Sequence, residues 1–438
     1  MDVDFMERNG NKRGVNQRNV GGGRHYNGPG SGKVCAFWLE GRCNRNPCNF
    51  LHQKPDQIHN REEVSQQKRA LVWRNPNGSG GSSNQNGPSK WGKTNNGVGG
   101  ASSGGRALIP TTSGSSGKRD KICNFFYKGN GCKFGDNCKF MHSWFVGDDL
   151  ALLTPLEGHK KAITGIAFPL GSDKLYSGSN DGSVKVWDCQ TGKCIGDFNL
   201  GSEVGCLVSE GAWLFVGVLN AVKAWNPLIG IDLTLDGPVG IVYSLVIGND
   251  FLFAGVQNGN ILAWKVHVAT NNFEPAASLS GHQLSVVSLV VGGMRLYSGS
   301  MDNTVRVWDL SNLQCIQTLT AHTSVVTSVL CWDQFLLSSS LDQTIKVWVA
   351  TENGSLEVTY THKEEHGVLT LSGMLDTQGK PILLCSNNSN TSHIYDLPSF
   401  SERGKIFSKE EIRSIQTGPN GLFFTGDGSG ELKVWKWS

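Results

Sequence analysis

The chain has 438 residues and 56 glycines, which is long enough for two or three domains but too rich in glycine for every segment to pack into a core. The net charge of +3 hides an asymmetry: residues 1–150 carry 22 Lys and Arg against 11 Asp and Glu, while residues 151–438 carry 18 against 26, which favours a polyanionic partner for the front part over a merely solvated basic arm. No run of eighteen apolar residues occurs and the first residues lack the apolar stretch of a signal peptide, so we expect neither a membrane-spanning nor a secreted protein, and we expect reduced thiols.

The first part of the chain is predicted to contain a small metal-binding unit. Residues 1–32 are expected to form a disordered leader, followed at 33–54 by a Cys/His cluster with the spacing C-x7-C-x4-C-x3-H. Residues 55–118 are expected to be a mostly disordered linker, because residues 75–118 are dominated by Gly, Ser and Asn and offer too few apolar groups to offset the entropy of ordering. The candidate ligands of this first finger are Cys35, Cys43, Cys48 and His52.

A second cluster at 119–144 repeats the scheme as C-x8-C-x5-C-x3-H, with Cys123, Cys132, Cys138 and His142. Three thiolates and one imidazole form a closed tetrahedral zinc shell, so each ion is expected to be structural, with no open position for catalysis. A segment of about 20 residues cannot bury a stabilising core, and zinc has to supply its folding free energy. Disulfides would leave an odd thiol in each cluster. The sequence therefore predicts two Zn²⁺ ions.

The second cluster resembles the CCCH zinc fingers typified by the tristetraprolin family, which bind single-stranded RNA. The resemblance implies that an aromatic after the second Cys and another before the His stack on unpaired bases, and these are Phe134 in CKFGDNC and Phe140 in CKFMH. Lys133 and Lys139 flank them and are expected to meet phosphates. The alternative is that the two rings form the apolar centre of the finger. Phe125, Phe126 and Tyr127 are expected to be packing residues.

The first finger departs from this pattern. Both inter-cysteine loops are one residue shorter, Arg45 stands at the first stacking position, and Phe50 matches the second. A guanidinium can also stack on a base, so both residues are candidate nucleic-acid contacts. Neither finger has the basic and aromatic lead-in of the tristetraprolin family, so an AU-rich preference is not carried over.

The back half of the chain is a repeat. Alternating apolar strands, a turn at D-G, D-N or D-Q and a closing aromatic recur every 38 to 47 residues, a pattern that resembles WD40 blades. Residues 148–438 are therefore predicted to form a seven-bladed, all-β propeller, with residues 148–157 closing the ring as the last outer strand. The closing aromatics are Trp187, Trp225, Trp264, Trp308, Trp348, Tyr395 and Trp435.

Three repeats carry a Ser, His, Asp and Trp set that resembles the buried hydrogen-bond network of a WD40 blade. Its threefold recurrence argues against a catalytic triad, because catalysis needs one site, so we expect no enzyme. The other four repeats have different residues at the Ser and Asp positions of this set. They are Val218 and Leu219, Val256 and Asn258, Asn387 and Ser389, and Asp427 and Ser429. The six cysteines of the back half are expected to be buried free thiols. The predicted networks are His159, Ser179, Asp181 and Trp187; His282, Ser300, Asp302 and Trp308; and His322, Ser340, Asp342 and Trp348.

Two CCCH fingers ahead of a WD40 propeller resemble the plant family of zinc-finger and WD-repeat CCCH proteins. The resemblance implies a nuclear or nucleocytoplasmic protein that binds nucleic acid. We expect a monomeric adaptor whose fingers grip single-stranded RNA and whose propeller docks a protein partner. The alternatives are a DNA-binding transcriptional regulator and a substrate receptor of a cullin ubiquitin ligase. The second alternative is disfavoured because the blades lack the W-D-x-R ending typical of such receptors.

Overall fold

The computed structural model describes residues 31–34, 50–51, 121–129, 131–147, 149–169, 172–267 and 270–437. The chain divides into two compact units, Met1–Ala70 and Leu71–Ser438. In the first unit, β1 (Ser31–Val34) and β2 (Phe50–Leu51) pair in parallel, and only their backbone is described. Outside the described residues lie most of the predicted leader, the linker 55–118, and the finger-one candidates Cys35, Cys43, Cys48, His52 and Arg45.

The described part of the second unit begins with the second finger, which contains α1 (Asn124–Tyr127) and a 3₁₀ helix (Gly135–Asn137). Two strands follow it, β3 (Phe145–Val146) and β4 (Leu150–Leu156). Neither helix in the described residues is long and apolar enough to cross a membrane.

The remaining strands form six antiparallel sheets in chain order. The first sheet has β5 (Ile163–Ala167), β6 (Lys174–Ser179), β7 (Ser183–Asp188) and β8 (Cys194–Asn199). The second has β9 (Cys206–Glu210), β10 (Trp213–Asn226), β11 (Ile231–Gly248), β12 (Phe251–Val256), β13 (Ile261–His267) and β14 (Asn272–Leu279). The third has β15 (Val286–Gly292), β16 (Arg295–Ser300), β17 (Val305–Asp309) and β18 (Gln314–Leu319).

The fourth sheet has β19 (Val326–Trp332), β20 (Phe335–Ser340), β21 (Thr344–Ala350) and β22 (Leu356–Lys363). The fifth has β23 (Val368–Leu375), β24 (Pro381–Asn387), β25 (Thr391–Asp396) and β26 (Ser401–Phe407), to which β3 adds a fifth strand. The sixth has β27 (Ile412–Thr417), β28 (Leu422–Asp427) and β29 (Leu432–Trp437), completed by β4. Neighbouring sheets pack on one another around a closed ring, in which β27 meets β5.

The prediction of seven blades was wrong, because the described strands form six propeller sheets and one of these has six strands. The closing aromatics Trp225 and Trp264 were assigned to separate blades, but both lie in the second sheet. The physical reason is that β11 runs unbroken for 18 residues and pairs with β10 through its first half and with β12 through its second. Residues 236–240 stay within this strand, and β10 pairs with it at both Asp236 and Ile241 with a shift of register between them, so one sheet continues where the repeat pattern predicts a boundary.

The ring is closed by a strand from before the first repeat. Within the segment predicted for this role, β4 pairs antiparallel with β29 from Leu156 opposite Leu432 to Leu150 opposite Trp437. Leu150 and Leu156 are buried in the cores on either side of the sixth sheet. The first and last parts of the propeller are thereby held in one sheet, and β29 has no free edge along this register.

The tight turns of the three regular repeats need a backbone conformation with positive φ, which most residues other than glycine adopt rarely. The residue after the turn aspartate has a positive φ in each case: +84° at Gly182, 68° at Asn303 and 66° at Gln343. Gly and Asn adopt this left-handed region readily, which is the physical basis of the D-G and D-N signals. A Cβ at position 182 would lie 3.2 Å from the backbone oxygen of Ser202, so this turn suits glycine on both counts.

Candidate zinc centre and nucleic-acid interface

The second finger brings its four candidate ligands to one point. The donor atoms of Cys123, Cys132, Cys138 and His142 all lie within 4.8 Å of one another. Two backbone hydrogen bonds join the first and last segments of the finger. The Cys123 N–H donates to Met141 O at 2.9 Å, and the Met141 N–H donates to the carbonyl of Lys121 at 3.0 Å. These bonds hold the first ligand beside the last. The arrangement has the donor set and compactness of a Cys₃His zinc site.

The chemistry of the donors fits a cation. His142 Nε2 is buried and has no hydrogen-bond partner among the described residues, as expected of a ligand atom. The N–H of Phe126 lowers the pKa of the Cys123 thiol to about 6 against the opposing effect of burial. The Phe140 N–H lowers the pKa of Cys138, but burial and the neighbouring thiols outweigh it, so that pKa is raised. Three sulfurs this close repel one another as thiolates unless a metal ion neutralises them. When bound, zinc supplies structural cross-linking here.

Two of the candidate stacking rings stand free on the finger surface. The exposed fraction is 54% for Phe134 and 49% for Phe140. The Lys133 ammonium lies 5.3 Å from the centroid of the Phe134 ring, and Lys139 is exposed beside Phe140. Each ring follows or precedes a zinc ligand by two residues, so the metal shell fixes its backbone. The site therefore presents two apolar faces with a cation next to each.

Phe125 is not a packing residue, contrary to the sequence expectation, because half of its surface is exposed. It belongs to a four-residue helix whose next two rings turn inward. Phe126 stacks on the His142 imidazole with centroids 5.4 Å apart, and both Phe126 and Tyr127 pack against Trp144. Sequence reasoning missed this third exposed ring, since three successive aromatics give no signal of which one faces solvent.

The same inward rings dock the finger on the propeller. The hydroxyl of Tyr127 donates to the carbonyl of Lys409. The Lys433 ammonium lies 4.3 Å from the centroid of the Trp144 ring and also pairs with Glu431. Trp144 and Phe145 join the apolar core between the fifth and sixth sheets. The finger is therefore fixed to the propeller by apolar packing, a cation–π contact and a hydrogen bond.

Comparison with known proteins agrees with these two modules. The family model for the zinc finger of C-x8-C-x5-C-x3-H type matches residues 118–143, and that for the WD domain, G-beta repeat, matches residues 151–188, 273–309 and 313–349. Zinc finger CCCH domain-containing protein 17 of Oryza sativa subsp. japonica is 58% identical to the chain over 100% of its length and 98% of the relative's. Zinc finger CCCH domain-containing protein 48 of Arabidopsis thaliana is 55% identical, with 100% and 98% covered.

The chain belongs to this family of plant zinc finger CCCH domain-containing proteins. Among solved structures, the WD40 beta propeller domain of Doa1 is similar with a TM-score of 0.57 at 20% identity, covering 66% of the CCCH protein and 97% of that chain. At this identity the likeness concerns the fold alone. None of the families matched is a catalytic one, and the chain combines a zinc finger with a WD40 propeller.

The propeller of the CCCH protein contains three buried networks that use a different serine from the predicted one. The Trp187 Nε1–H donates to Ser177 Oγ at 2.8 Å, and Ser177 Oγ also lies 2.8 Å from His159 Nε2. His159 Nδ1 lies 3.1 Å from the Asp181 carboxylate. Ser179, the predicted member, instead donates to the carbonyl of Lys161 and accepts the Asp181 N–H. Both serines lie on one face of β6, two residues apart, so the sequence pattern alone does not distinguish them.

The other two networks repeat this arrangement. The serines in contact with Trp and His are Ser298 and Ser338, and not the predicted Ser300 and Ser340. The hydroxyl of each accepts a hydrogen bond from the Trp Nε1–H and hydrogen bonds to the His Nε2 of its sheet. Ser300 and Ser340 hydrogen bond to the carbonyls of Leu284 and Ser324. The paired contacts are His282 to Asp302 and His322 to Asp342, both at 2.8 Å, with Trp308 and Trp348 as the donors to serine.

Each turn aspartate is held ionised by its surroundings. Burial opposes ionisation of Asp181, but hydrogen bonds from Ser183 and from the Lys160 N–H outweigh it and lower the pKa of that carboxyl. Burial is the main reason that the pKa of His159 is lowered. Both ring nitrogens of His159 are engaged, one by the Asp181 carboxylate and one by Ser177, so the buried imidazole ties the turn of the first sheet to its interior.

A double-mutant cycle is expected to distinguish the two serines. Ser177→Ala removes the acceptor of Trp187, so its cost and that of Trp187→Phe should be non-additive, with a coupling of about 0.5–3 kcal/mol in the free energy of unfolding. The matched pair of Ser179→Ala with Trp187→Phe should add to within about 0.5 kcal/mol. Urea unfolding of the full chain measures both cycles. Equal coupling in the two cycles would return Ser179 to the network.

In the fifth and sixth sheets, where the Ser and Asp of the set are replaced, other polar groups hydrogen bond to the closing aromatic. Trp435 donates to Thr425 Oγ1 at 2.9 Å, and the Asp427 carboxylate accepts from Ser429. The hydroxyl of Tyr395 donates to the buried Glu364 at 2.7 Å. Asn387 lies buried on β24, while Val218 and Val256 lie buried on β10 and β12. These three side chains are buried, so the space occupied by serine in the regular repeats is filled by other side chains here.

The six propeller cysteines do not share one environment, contrary to the sequence expectation. Cys206 and Cys385 are buried, Cys315 and Cys331 are half-buried, and Cys189 and Cys194 are exposed. Burial raises the pKa of Cys331 to about 12, so that thiol stays protonated at neutral pH. None of the six belongs to the cluster of possible metal ligands found among the described residues.

Proposed function

We propose that this protein is a zinc-dependent, nucleic-acid-binding adaptor whose second finger binds single-stranded RNA while the propeller docks a protein partner. Finger one supplies a second contact through Arg45 and Phe50 and holds a second zinc ion. The protein acts as a monomer in the nucleus or shuttles between nucleus and cytoplasm. It performs no catalysis of its own.

The observation that carries this proposal is the pair of exposed rings on the zinc shell, Phe134 and Phe140. Single exposed apolar residues are common on protein surfaces, but these two rings lie on one small finger and each has a lysine next to it in the sequence. The finger is already packed through Phe126, Tyr127 and Trp144. Stacking of unpaired bases on such rings contributes about 1–3 kcal/mol per base, and neighbouring lysines add a salt-dependent backbone term.

Single strands fit this surface better than a duplex does. The bases of a duplex are already stacked and therefore unavailable to either ring. Major-groove recognition requires an element such as an exposed helix that enters the groove, but α1 has four residues and faces the propeller with two of its rings. A DNA-binding transcriptional role is the second candidate, favoured only by the basic front part of the chain. The cullin receptor role has no support from the described residues.

Replacing Phe134 and Phe140 with Ala is expected to weaken single-strand binding by roughly 2–6 kcal/mol, because two stacked bases lose their platforms. Zinc content should be unchanged, since no ligand is altered. Fluorescence anisotropy with a labelled RNA of randomised sequence measures the affinity, and metal analysis measures the zinc.

Phe198→Ala provides the matched control. Phe198 is 52% exposed, so the same substitution is made on an equally exposed ring that lies in the propeller. This variant should bind RNA as the parent does. If the double variant also keeps its affinity, the rings are only part of the finger surface and the RNA proposal fails. If duplex DNA of the same length binds more tightly than RNA, the transcriptional role replaces it.

A further inference from the structure

A pocket of about 370 Å³ lies at the junction between finger two and the fifth sheet of the propeller. Its finger side is formed by Lys121, Asn124 and Tyr127, and its propeller side by Asn390, Thr391 and Phe407. We propose that this junction pocket binds one nucleotide of the single strand, next to the nucleotide that stacks on Phe140. The inference rests on the proposed RNA binding and gives the propeller a direct part in it.

The size and lining of the junction pocket suit a single nucleotide. Its volume is at the small end of the range of about 300–1,000 Å³ that ligand sites span. Asn124 and Asn390 line the pocket and are both exposed, so their side-chain amides are accessible to a ligand. Each amide offers a donor and an acceptor, which is what the edge of an unpaired base requires. Among the lining residues that the structure describes, Lys121 is the charged one, and its ammonium suits a phosphate.

The junction pocket is also next to the stacking surface. Ile122 lies in its wall and forms a β-bridge with Met141, the residue that follows Phe140. The Lys121 carbonyl accepts a hydrogen bond from the Met141 N–H. The segment with the exposed ring and the segment that lines the pocket are therefore hydrogen-bonded neighbours. A strand that stacks one base on Phe140 can place its next nucleotide in the pocket.

Both walls are held in place before any ligand binds. The Phe407 N–H donates to Trp144 O at 2.8 Å, and Ile406 pairs with Phe145 across β26 and β3. The Tyr127 hydroxyl is fixed on the carbonyl of Lys409. Because the finger and the propeller are already joined, binding does not have to order one against the other. A preorganised site of this kind loses less free energy on binding than a flexible one.

The test uses the full chain and a fluorescein-labelled 12-nucleotide RNA of randomised sequence. Asn390→Ala and Asn124→Ala should each weaken binding about 3- to 10-fold, the loss expected for one or two neutral hydrogen bonds. Asn390→Trp, which fills the junction pocket, should weaken it at least as much. Asn388→Ala is the matched control, because Asn388 is an exposed asparagine two residues away that does not line the pocket. Zinc content and melting temperature should be the same in the two alanine variants and the parent.

The outcomes separate this inference from the proposed function. If the Phe134 and Phe140 double variant loses RNA binding while all three pocket variants bind as the parent does, the finger binds alone and the inference is overturned. If the alanine variants at 124 and 390 weaken binding and Asn388→Ala does not, the junction pocket is part of the site. If the double Phe variant and the pocket variants all keep full affinity, both the proposed function and the inference fail. Should Asn390→Trp melt early, the alanine variants alone decide.

Discussion

A chain that begins at Gly158 is expected to lose most of the stability of the propeller, whereas one that begins at Asp149 keeps it. The difference between them is β4, which pairs with β29 and buries Leu150 and Leu156. Loss of a buried leucine side chain costs about 2–5 kcal/mol, so the two together cost about 4–10 kcal/mol. A whole domain is stable by only about 5–15 kcal/mol. The shorter chain should therefore unfold near ambient temperature or aggregate through the open edge of β29.

Thermal and urea unfolding of three truncated chains, beginning at Lys121, Asp149 and Gly158, measures this effect. The chain from Lys121 keeps finger two and β3, so it separates the stability due to the finger from that due to β4. Coincident unfolding midpoints for the chains from Asp149 and Gly158 would show that β4 does not close the ring.

Loss of zinc is expected to unfold finger two completely and leave the propeller folded. Structural zinc contributes on the order of 10 kcal/mol to the folding of a finger, far more than so short a segment gains from burial. Cys132→Ala should lower the zinc content of the full chain by one ion, expose residues 121–143 to protease, and abolish the nucleic-acid binding proposed for this finger. Every ligand of this cluster precedes the first propeller strand, so the sheets should keep their unfolding midpoint apart from the loss of docking contacts.

Cys194→Ala is the control, because it removes an exposed thiol from β8 that belongs to no cluster. Zinc content, proteolysis pattern and affinity should match the parent. A Cys132→Ala variant that keeps both its protease resistance and its zinc would contradict the assignment of the ligands.

The zinc cluster could be read from the sequence because its information is local. Cys123 and His142 lie within a span of twenty residues, and ligand chemistry fixes their spacing whatever surrounds them. The network serines were placed two residues too far along, because a strand repeats its faces every two residues and Ser177 and Ser179 point the same way. The blade count failed for a different reason: whether β11 breaks or continues depends on the strands on both of its sides, whereas the Asp-Gly-Pro run at 236–238 alone indicates a break.

The docking of finger two could not be predicted either. Trp144 gives no sign in the sequence that its partner is Lys433, nearly 300 residues later, because such long-range contacts depend on ring closure. The sequence shows only that the connection between finger two and the propeller is short. It did not predict that Phe126 and Tyr127 would face the propeller and leave Phe125 outside.

The contact between Lys433 and Trp144 has a consequence for the geometry of any assembly that forms on this protein. A finger on a flexible tether would let bound nucleic acid sweep a wide volume around the propeller. Here the Trp144 ring, the Tyr127 hydroxyl and the added strand β3 fix the finger at the rim between the fifth and sixth sheets. If the proposed function holds, a protein docked on the propeller would sit at a set distance and angle from nucleic acid bound by finger two, and the spacing between the two partners would be fixed by this chain.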